Sequence, residues 1–337
     1  MTEKPTALID AFEKGRDLVA RARRIALVTH MRADGDAVGS VAALQNILRA
    51  QGRQADGILF ERPGPKYAFM LEREPLLIWE QWQSRQALTA SDLWIMVDTA
   101  AALQVEPLAS HLASRTAPLL IIDHHRTYDI TANVKIQDDP AAATALLILE
   151  WCEACNWPLS PTAAEMLFIG LATDTGWFRF ANADARAFAA AARLAGQGIK
   201  CDQLHQRLFQ TEPVERFALF AAVCSGMTLE AGDRLAVMEV TRELLSRVGA
   251  GPAMTEDLVN EPLRINSVRA SVLLTEVDDR TVRVSFRAKD GGADVAAVAR
   301  RFGGGGHSLA SGARLSGTIA DARRAVVAAM TQAIEGS

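Results

Sequence analysis

Residues 25–40 read IALVTHMRADGDAVGS, and the parsing of this stretch decides the fold. Residues 25–29 are a short apolar, partly β-branched run, the pattern of a strand buried on both faces. His30, Asp34 and Asp36 follow, with Gly35 between the two carboxylates. From Ala37 onward, apolar residues return at helical spacing: Val38, Val41, Leu44, Ile47 and Leu48. Strand, polar turn and helix in that order place side chains at the carboxyl edge of an open α/β sheet, where ligands bind. An imidazole and two carboxylates so close together form a mixed nitrogen and oxygen donor set that suits a divalent cation. Gly35 is expected to let the backbone turn sharply, so that the two acids face different targets. The same acids could instead cap the helix. The stretch alone leaves both readings open.

Moving outward, other apolar runs end in the same kind of residue. Residues 92–97, DLWIMV, lead into Asp98, and residues 118–122, PLLII, lead into Asp123, His124 and His125. Residues 54–60 read as a further strand and residues 62–66, RPGPK, as a loop. A helical run over 163–171 delivers Thr173, Asp174, Thr175 and Gly176. In a parallel α/β sheet such ends converge on one edge. Any one acid has a plain structural explanation, as a cap or a turn. Four separate chain ends carrying acids or imidazoles are harder to explain that way, and Trp177 and Phe178 beside the last one read as core.

The bulk numbers set limits. A chain of 337 residues is comfortable as two domains. With 49% hydrophobic and 23% charged residues, its composition is that of a globular protein. A net charge of −4 gives no global attraction to nucleic acid or anionic membrane, so a polyanion site must be local. The N-terminal MTEKPTALIDAFEKGRDLVARARR reads as an amphipathic surface helix, not a signal peptide. No apolar run approaches the ~20 residues of a membrane span. Four cysteines make no disulfide framework, and a cytoplasmic location is expected. Cys152 and Cys155 form a C-x-x-C inside the helical pattern AAATALLILEWCEAC, without a second pair for zinc; they read as two thiols on a helix face.

The expected fold class is α/β: an N-terminal parallel-sheet domain over 1–190, a helical connector over 191–225 and a smaller C-terminal α+β domain over 226–337. Residues 181–222 look wholly helical and Ala-rich. Strands are expected over 235–240, 271–277 and 281–287, the last two joined by a hairpin turn, then a helix over 295–302 and a last one from about residue 320. Between these helices lie four glycines, 303–306, and His307. Composition alone reads the run as a flexible linker. Its ordered-looking flanks favour an anion cradle instead, in which successive N–H groups share one concavity. Residues 280–314 carry seven Arg/Lys and two Asp, a local balance of +5.

Four stretches carry a family pattern: THMRADGDAVGS (29–40), IMVDTA (95–100), IDHHRT (122–127) and LATDTG (171–176). In this order they resemble the four motifs of the DHH phosphoesterase family. Residues 282–315, VRVSFRAKDGGADVAAVARRFGGGGHSLASGARL, resemble the DHHA1 module of one of its subfamilies. The chain length and the SFRAK and GGGGH segments are most similar to the oligoribonuclease/pAp-phosphatase (nanoRNase) group.

The resemblance implies a site with two Mn2+, for which Mg2+ or Co2+ would substitute. One ion falls to His30, Asp34 and Asp98, the other to Asp36, Asp98, His124 and Asp174, with Asp98 bridging. Asp123 is implied to orient its neighbour, as a carboxylate behind a ligating imidazole does, and His125 to face the substrate phosphate. His125, Asp98 and Asp123 form the implied catalytic set. Ser285, Arg287, Gly304, Gly305, Gly306 and His307 would contact a nucleotide's phosphate or base, with the active site in a cleft between the domains. The implied substrates are short single-stranded RNA or DNA oligonucleotides and 3′-phosphoadenosine 5′-phosphate (pAp); no membrane is involved, and a homodimer is allowed. A cyclic-dinucleotide or linear-dinucleotide phosphodiesterase is the alternative within this chemistry. A non-enzymatic nucleotide sensor is disfavoured because every motif acid and imidazole is present, and a processive exonuclease because no long basic track exists.

Overall fold

The apolar runs that end in acids are the inner strands of one sheet in a computed structural model, which describes residues 5–126 and 128–336. The first four residues of the N-terminal run and Thr127 of the third motif lie outside the described residues. The chain divides into two compact units, Met1–Thr211 and Glu212–Ser337.

In the first unit the strands are β1 (Arg24–Val28), β2 (Gln54–Leu59), β3 (Leu77–Ile78), β4 (Leu93–Val97), β5 (Leu119–Asp123) and β6 (Val134–Gln137). All pair in parallel, in the order β3-β2-β1-β4-β5-β6. Chain order reverses between β1 and β4. Such a reversal opens a crevice beyond the strands' carboxyl ends, because the connections leave toward opposite faces there. Ile25 and Leu27 of β1 face one core while Ala26 and Val28 face another, and β4 alternates the same way. Both faces being buried, these strands read as unbroken apolar runs. β3 and β6, with two and four residues, leave no such signature.

The helices Gly35–Ala50 and Pro161–Asp174 cross at small residues. A Cβ on Gly39 would stand 2.5 Å from the Met166 carbonyl oxygen, and one on Gly170 would stand 2.7 Å from Asp36 Oδ1. Gly35 answers the same need, since a Cβ there would collide with Thr173. Close helix packing explains this glycine, not the sharp turn expected from sequence. The N-terminal helix Thr6–Arg21 buries Leu8, Phe12, Gly15 and Val19. Trp151 Nε1 donates to the Phe12 carbonyl at 2.9 Å.

Residues 181–222 are not continuously helical. Helices Ala185–Ala195, Cys201–Phe209 and Val214–Ser225 are separated near Gly198, whose φ is +88°, and at Pro213, which supplies no backbone donor.

The second unit holds β7 (Thr228–Glu230), β8 (Leu235–Val240), β9 (Ala270–Asp278), β10 (Thr281–Ala288), β11 (Gly305–His307) and β12 (Ala310–Ser316), in the order β11-β12-β10-β9-β8-β7. Only the β8–β9 pair is parallel. Val282, Val284 and Phe286 of β10 pack with helices Val295–Arg301 and Ile319–Glu335 on one face. Arg283, Ser285 and Arg287 alternate onto the other.

Candidate metal centre

β1, β4 and β5 each hand a polar group to the crevice where the strand order reverses. His30 follows β1, Asp98 follows β4, and His124 follows Asp123 at the end of β5. Asp34 and Asp36 begin the helix after β1, and Asp174 ends the helix Pro161–Asp174. The six residues come together in overlapping groups. His30, Asp34 and Asp98 each place a ligand atom within 4.8 Å of the others, and so do Asp36, His124 and Asp174. Asp98, His124 and His125 form a third such group. His30 Nε2 lies 3.4 Å from Asp98 Oδ2, while His124 Nε2 lies 3.7 Å from Asp98 Oδ1 and 3.5 Å from Asp174 Oδ2. Asp98 therefore stands between the groups.

Neighbouring backbone fixes the imidazoles. His30 Nδ1 is 2.9 Å from the Met31 carbonyl oxygen, and His124 Nδ1 is 3.0 Å from that of Ala141. A carbonyl only accepts, so each Nδ1 is a donor and each Nε2 is left facing the acids. The acids carry structural duties as well. Asp34 caps its own helix, accepting from the N–H groups of Asp36 and Ala37 at 3.0 and 3.1 Å. The helix cap and the member of the cluster are thus the same residue, and both capping bonds use one oxygen, Oδ1. Asp123 departs from expectation. Its Oδ1 accepts from His125 Nδ1 at 2.8 Å and from the His125 N–H at 3.1 Å, so it orients His125 and leaves adjacent His124 to the Ala141 carbonyl.

The cluster is crowded with acids, of which Asp36 and Asp98 are buried and Asp34 is exposed. Asp98 is pushed well above the usual carboxylate range by burial and then by Asp36 and Asp34. Asp174 is pushed up to about 8, again by burial first and then by Asp36 and Asp34. Burial raises Asp36 despite the neighbouring His124. His125 is held up at about 9, chiefly by its hydrogen bond to Asp123. Buried like charges need a counter-charge, and four carboxylates with two imidazole lone pairs match a pair of divalent cations. The donor set fits the ions.

The DHH family N-terminal domain matches residues 24–171, and the DHHA1 domain matches residues 233–336. The bifunctional oligoribonuclease and PAP phosphatase NrnA of Thermus thermophilus is 30% identical over 88% of this chain and 86% of its own length. The chain belongs to the DHH family. The NrnA of Bacillus subtilis is 28% identical over 86% of this chain and 89% of its own. An exopolyphosphatase-related protein from Bacteroides fragilis superposes with a TM-score of 0.89 at 25% identity, covering 98% of both chains. This DHH chain is thus an enzyme of the phosphoesterase family.

Ser40, at the end of the first motif, and Thr144 and Ala145, outside all four, support the acids of the DHH centre. Asp36 accepts from Ser40 Oγ at 3.1 Å, from the Thr144 N–H at 2.6 Å and from the Ala145 N–H at 3.0 Å. Asp98 accepts from Thr144 Oγ1 at 2.8 Å. Ser40 was legible, four residues after Asp36 on one helix; Thr144 sits in an Ala-rich run that carries no signal for this role. Cys152 is buried and Cys155 half-buried, and burial pushes both thiols up.

In the DHHA1 unit, Arg287 and His307 both pair with Ala310, from opposite sides of β12, and Ser285 and Gly305 both pair with Gly312. Directly paired residues share a sheet face, so Ser285, Arg287 and His307 line one face with Gly305 and Gly312 between them. The glycine run differs from the expected cradle. Gly303 and Gly304 donate to the carbonyls of Arg300 and Ala299 at the end of a helix, and residues 305–307 form the edge strand β11. Gly304 is needed because a Cβ there would enter β12 at Gly312 and Ala313.

Proposed function

We propose that this enzyme hydrolyses short oligoribonucleotides to mononucleotides and pAp to AMP, using a pair of divalent cations, Mn2+ first, held by His30, Asp34, Asp36, Asp98, His124 and Asp174. The observation that carries the proposal is the position of Asp98, buried between two acid–imidazole groups at the reversal of strand order. Likeness to two NrnA proteins over most of their length supports the substrate class. When bound, such cations polarise phosphoryl oxygens and acidify water. The chain's own residues do the rest. The carbonyls of Met31 and Ala141 keep the His30 and His124 rings aimed inward. Asp123 fixes the ring of His125, whose side chain is 49% exposed and whose second nitrogen is left for a substrate phosphate oxygen. Ser285, Arg287 and His307, on one face of the DHHA1 sheet, hold another phosphate or the base. Among the described residues no helix is long and apolar enough to cross a membrane, and the four cysteines are free, which suits the cytoplasm.

The test is a panel assay with Mn2+ on pAp, di- to pentanucleotides, cyclic dinucleotides and long single strands. Turnover of pAp and of the short oligomers, lost on chelation, is expected. Cleavage of cyclic dinucleotides alone would replace this function with the cyclic-dinucleotide activity, and no metal-dependent cleavage of any substrate would remove the enzymatic assignment of the cluster.

A further inference from the structure

Residues 138–145, DDPAAATA, lead from β6 into the helix Thr144–Ala154 and belong to none of the four motifs. They nevertheless touch three of the six clustered residues. The Ala141 carbonyl accepts from His124, the N–H groups of Thr144 and Ala145 donate to Asp36, and the Thr144 hydroxyl donates to Asp98. The segment is itself braced. Asn182 Nδ2 donates to the carbonyls of Ala142 and Asp174, at 3.0 and 3.2 Å. Arg186 bridges Asp138 and Glu150, with bonds of 2.5–2.7 Å.

The helix Thr144–Ala154 lacks a side-chain cap of its own, because Ala143 occupies the cap position. Its first two N–H groups are satisfied by Asp36, from another helix. A carboxylate there gains both hydrogen bonds and the favourable end of the helix dipole. Thr144 is fully buried, and it is the one residue of this segment that donates to two carboxylates: N–H to Asp36, hydroxyl to Asp98. A buried threonine needs only some acceptor for its hydroxyl, and a backbone carbonyl one turn back serves elsewhere in this chain, as at Thr175. At the first position of a helix no such carbonyl exists, and the hydroxyl turns to Asp98.

We infer that Thr144 is a positioning residue of the metal centre, fixing Asp98 and Asp36 relative to each other so that the cations meet preset ligands. This inference rests on the metal reading of the cluster. Supporting groups of this kind govern affinity because an unheld carboxylate must be ordered at the moment of binding.

The experiment is calorimetric titration of the metal-stripped full chain with Mn2+, together with melting of each metal-free variant. Thr144→Val keeps shape and backbone N–H but removes the hydroxyl; Thr144→Ser keeps the hydroxyl. We expect Mn2+ affinity about 10–100-fold weaker in Thr144→Val and within about threefold of wild type in Thr144→Ser, with both variants folded. If Thr144→Val fails to fold, Thr144→Ala repeats the comparison. Wild-type affinity in the hydroxyl-free variant overturns the inference alone, as does equal weakening in Val and Ser, which would trace the effect to packing. An absence of Mn2+ binding in the wild type removes the metal reading and the inference with it.

Discussion

Asp98 occupies the left-handed region, φ +63°, where an aspartate is tolerated better than most side chains and where backbone strain gathers at functional sites. Its carboxylate is 2% exposed and crowded by Asp36 and Asp34, so without a counter-charge it is a source of instability. Asp98→Asn should therefore abolish metal-dependent hydrolysis yet melt no lower than wild type when both are metal-free. Relief of the crowding should raise the midpoint, by about 2–4 °C per kcal/mol for a unit of this size. Asparagine also tolerates the backbone conformation and can still accept from Thr144. Retained turnover at saturating Mn2+ would contradict the shared role of Asp98; a large fall in the metal-free midpoint would contradict the crowding. The paired imidazoles should separate in the same way. His124 is aimed into the acids by Ala141, whereas His125 is aimed by Asp123 and half exposed. His124→Ala should lose bound metal, while His125→Ala should keep both ions and lose rate. Metal counting on the purified variants decides it, and equal losses of metal would merge the two roles.

At the scale of elements, legibility followed burial. β1, β4 and β5 are buried on both faces, so their residues carry the pattern by themselves; His30, Asp98 and His124 follow these strands, while Asp34, Asp36 and Asp174 lie at the ends of the helices Gly35–Ala50 and Pro161–Asp174. β3 and β6 are too short for a period, and their existence depends on neighbours already in place. The glycine run misled because composition does not say where an N–H will find its acceptor; two of them find the end of a helix. Gly35 misled for a related reason, since its partner Thr173 is far away in sequence. That helix crossing carries its own prediction. In Gly170→Ala the new methyl group would press on Asp36 Oδ1 and on Ala145 Cβ, at 2.7 and 2.8 Å. Overpacking of this kind costs about 1–3 kcal/mol. Thermal melting should show that loss, and Mn2+ titration should show weakened binding, because the displaced carboxylate belongs to the cluster. A lower midpoint with unchanged Mn2+ affinity would mean that Asp36 relaxes without moving its other oxygen.

At the scale of the molecule, the two units have separate cores, and their local charge patterns differ. The DHH unit gathers the acids of the cluster, and residues 280–314 of the DHHA1 unit carry a local balance of +5 in a chain whose net charge is −4. Burial lowers the Arg287 pKa, but a guanidinium stays charged, and it can grip phosphate through two parallel donors where an ammonium cannot. His307 lies on an exposed edge strand, two strands away on the same sheet face, with only the small Ala310 directly between them. If this face captures the part of a nucleotide that is not being hydrolysed, its loss should cost capture and spare chemistry. A lost charge-assisted phosphate contact costs roughly 1.5–3 kcal/mol, so kcat/KM on pAp and dinucleotides should fall at least about tenfold in Arg287→Ala and in His307→Ala. Bis-p-nitrophenyl phosphate, which offers no second phosphate, should be cleaved almost as by the wild type. The ratio of the two activities in each variant is the measurement. Equal losses on both substrates, with Mn2+ affinity intact, would assign these residues to folding instead of recognition, because a recognition contact acts only on a substrate long enough to reach it.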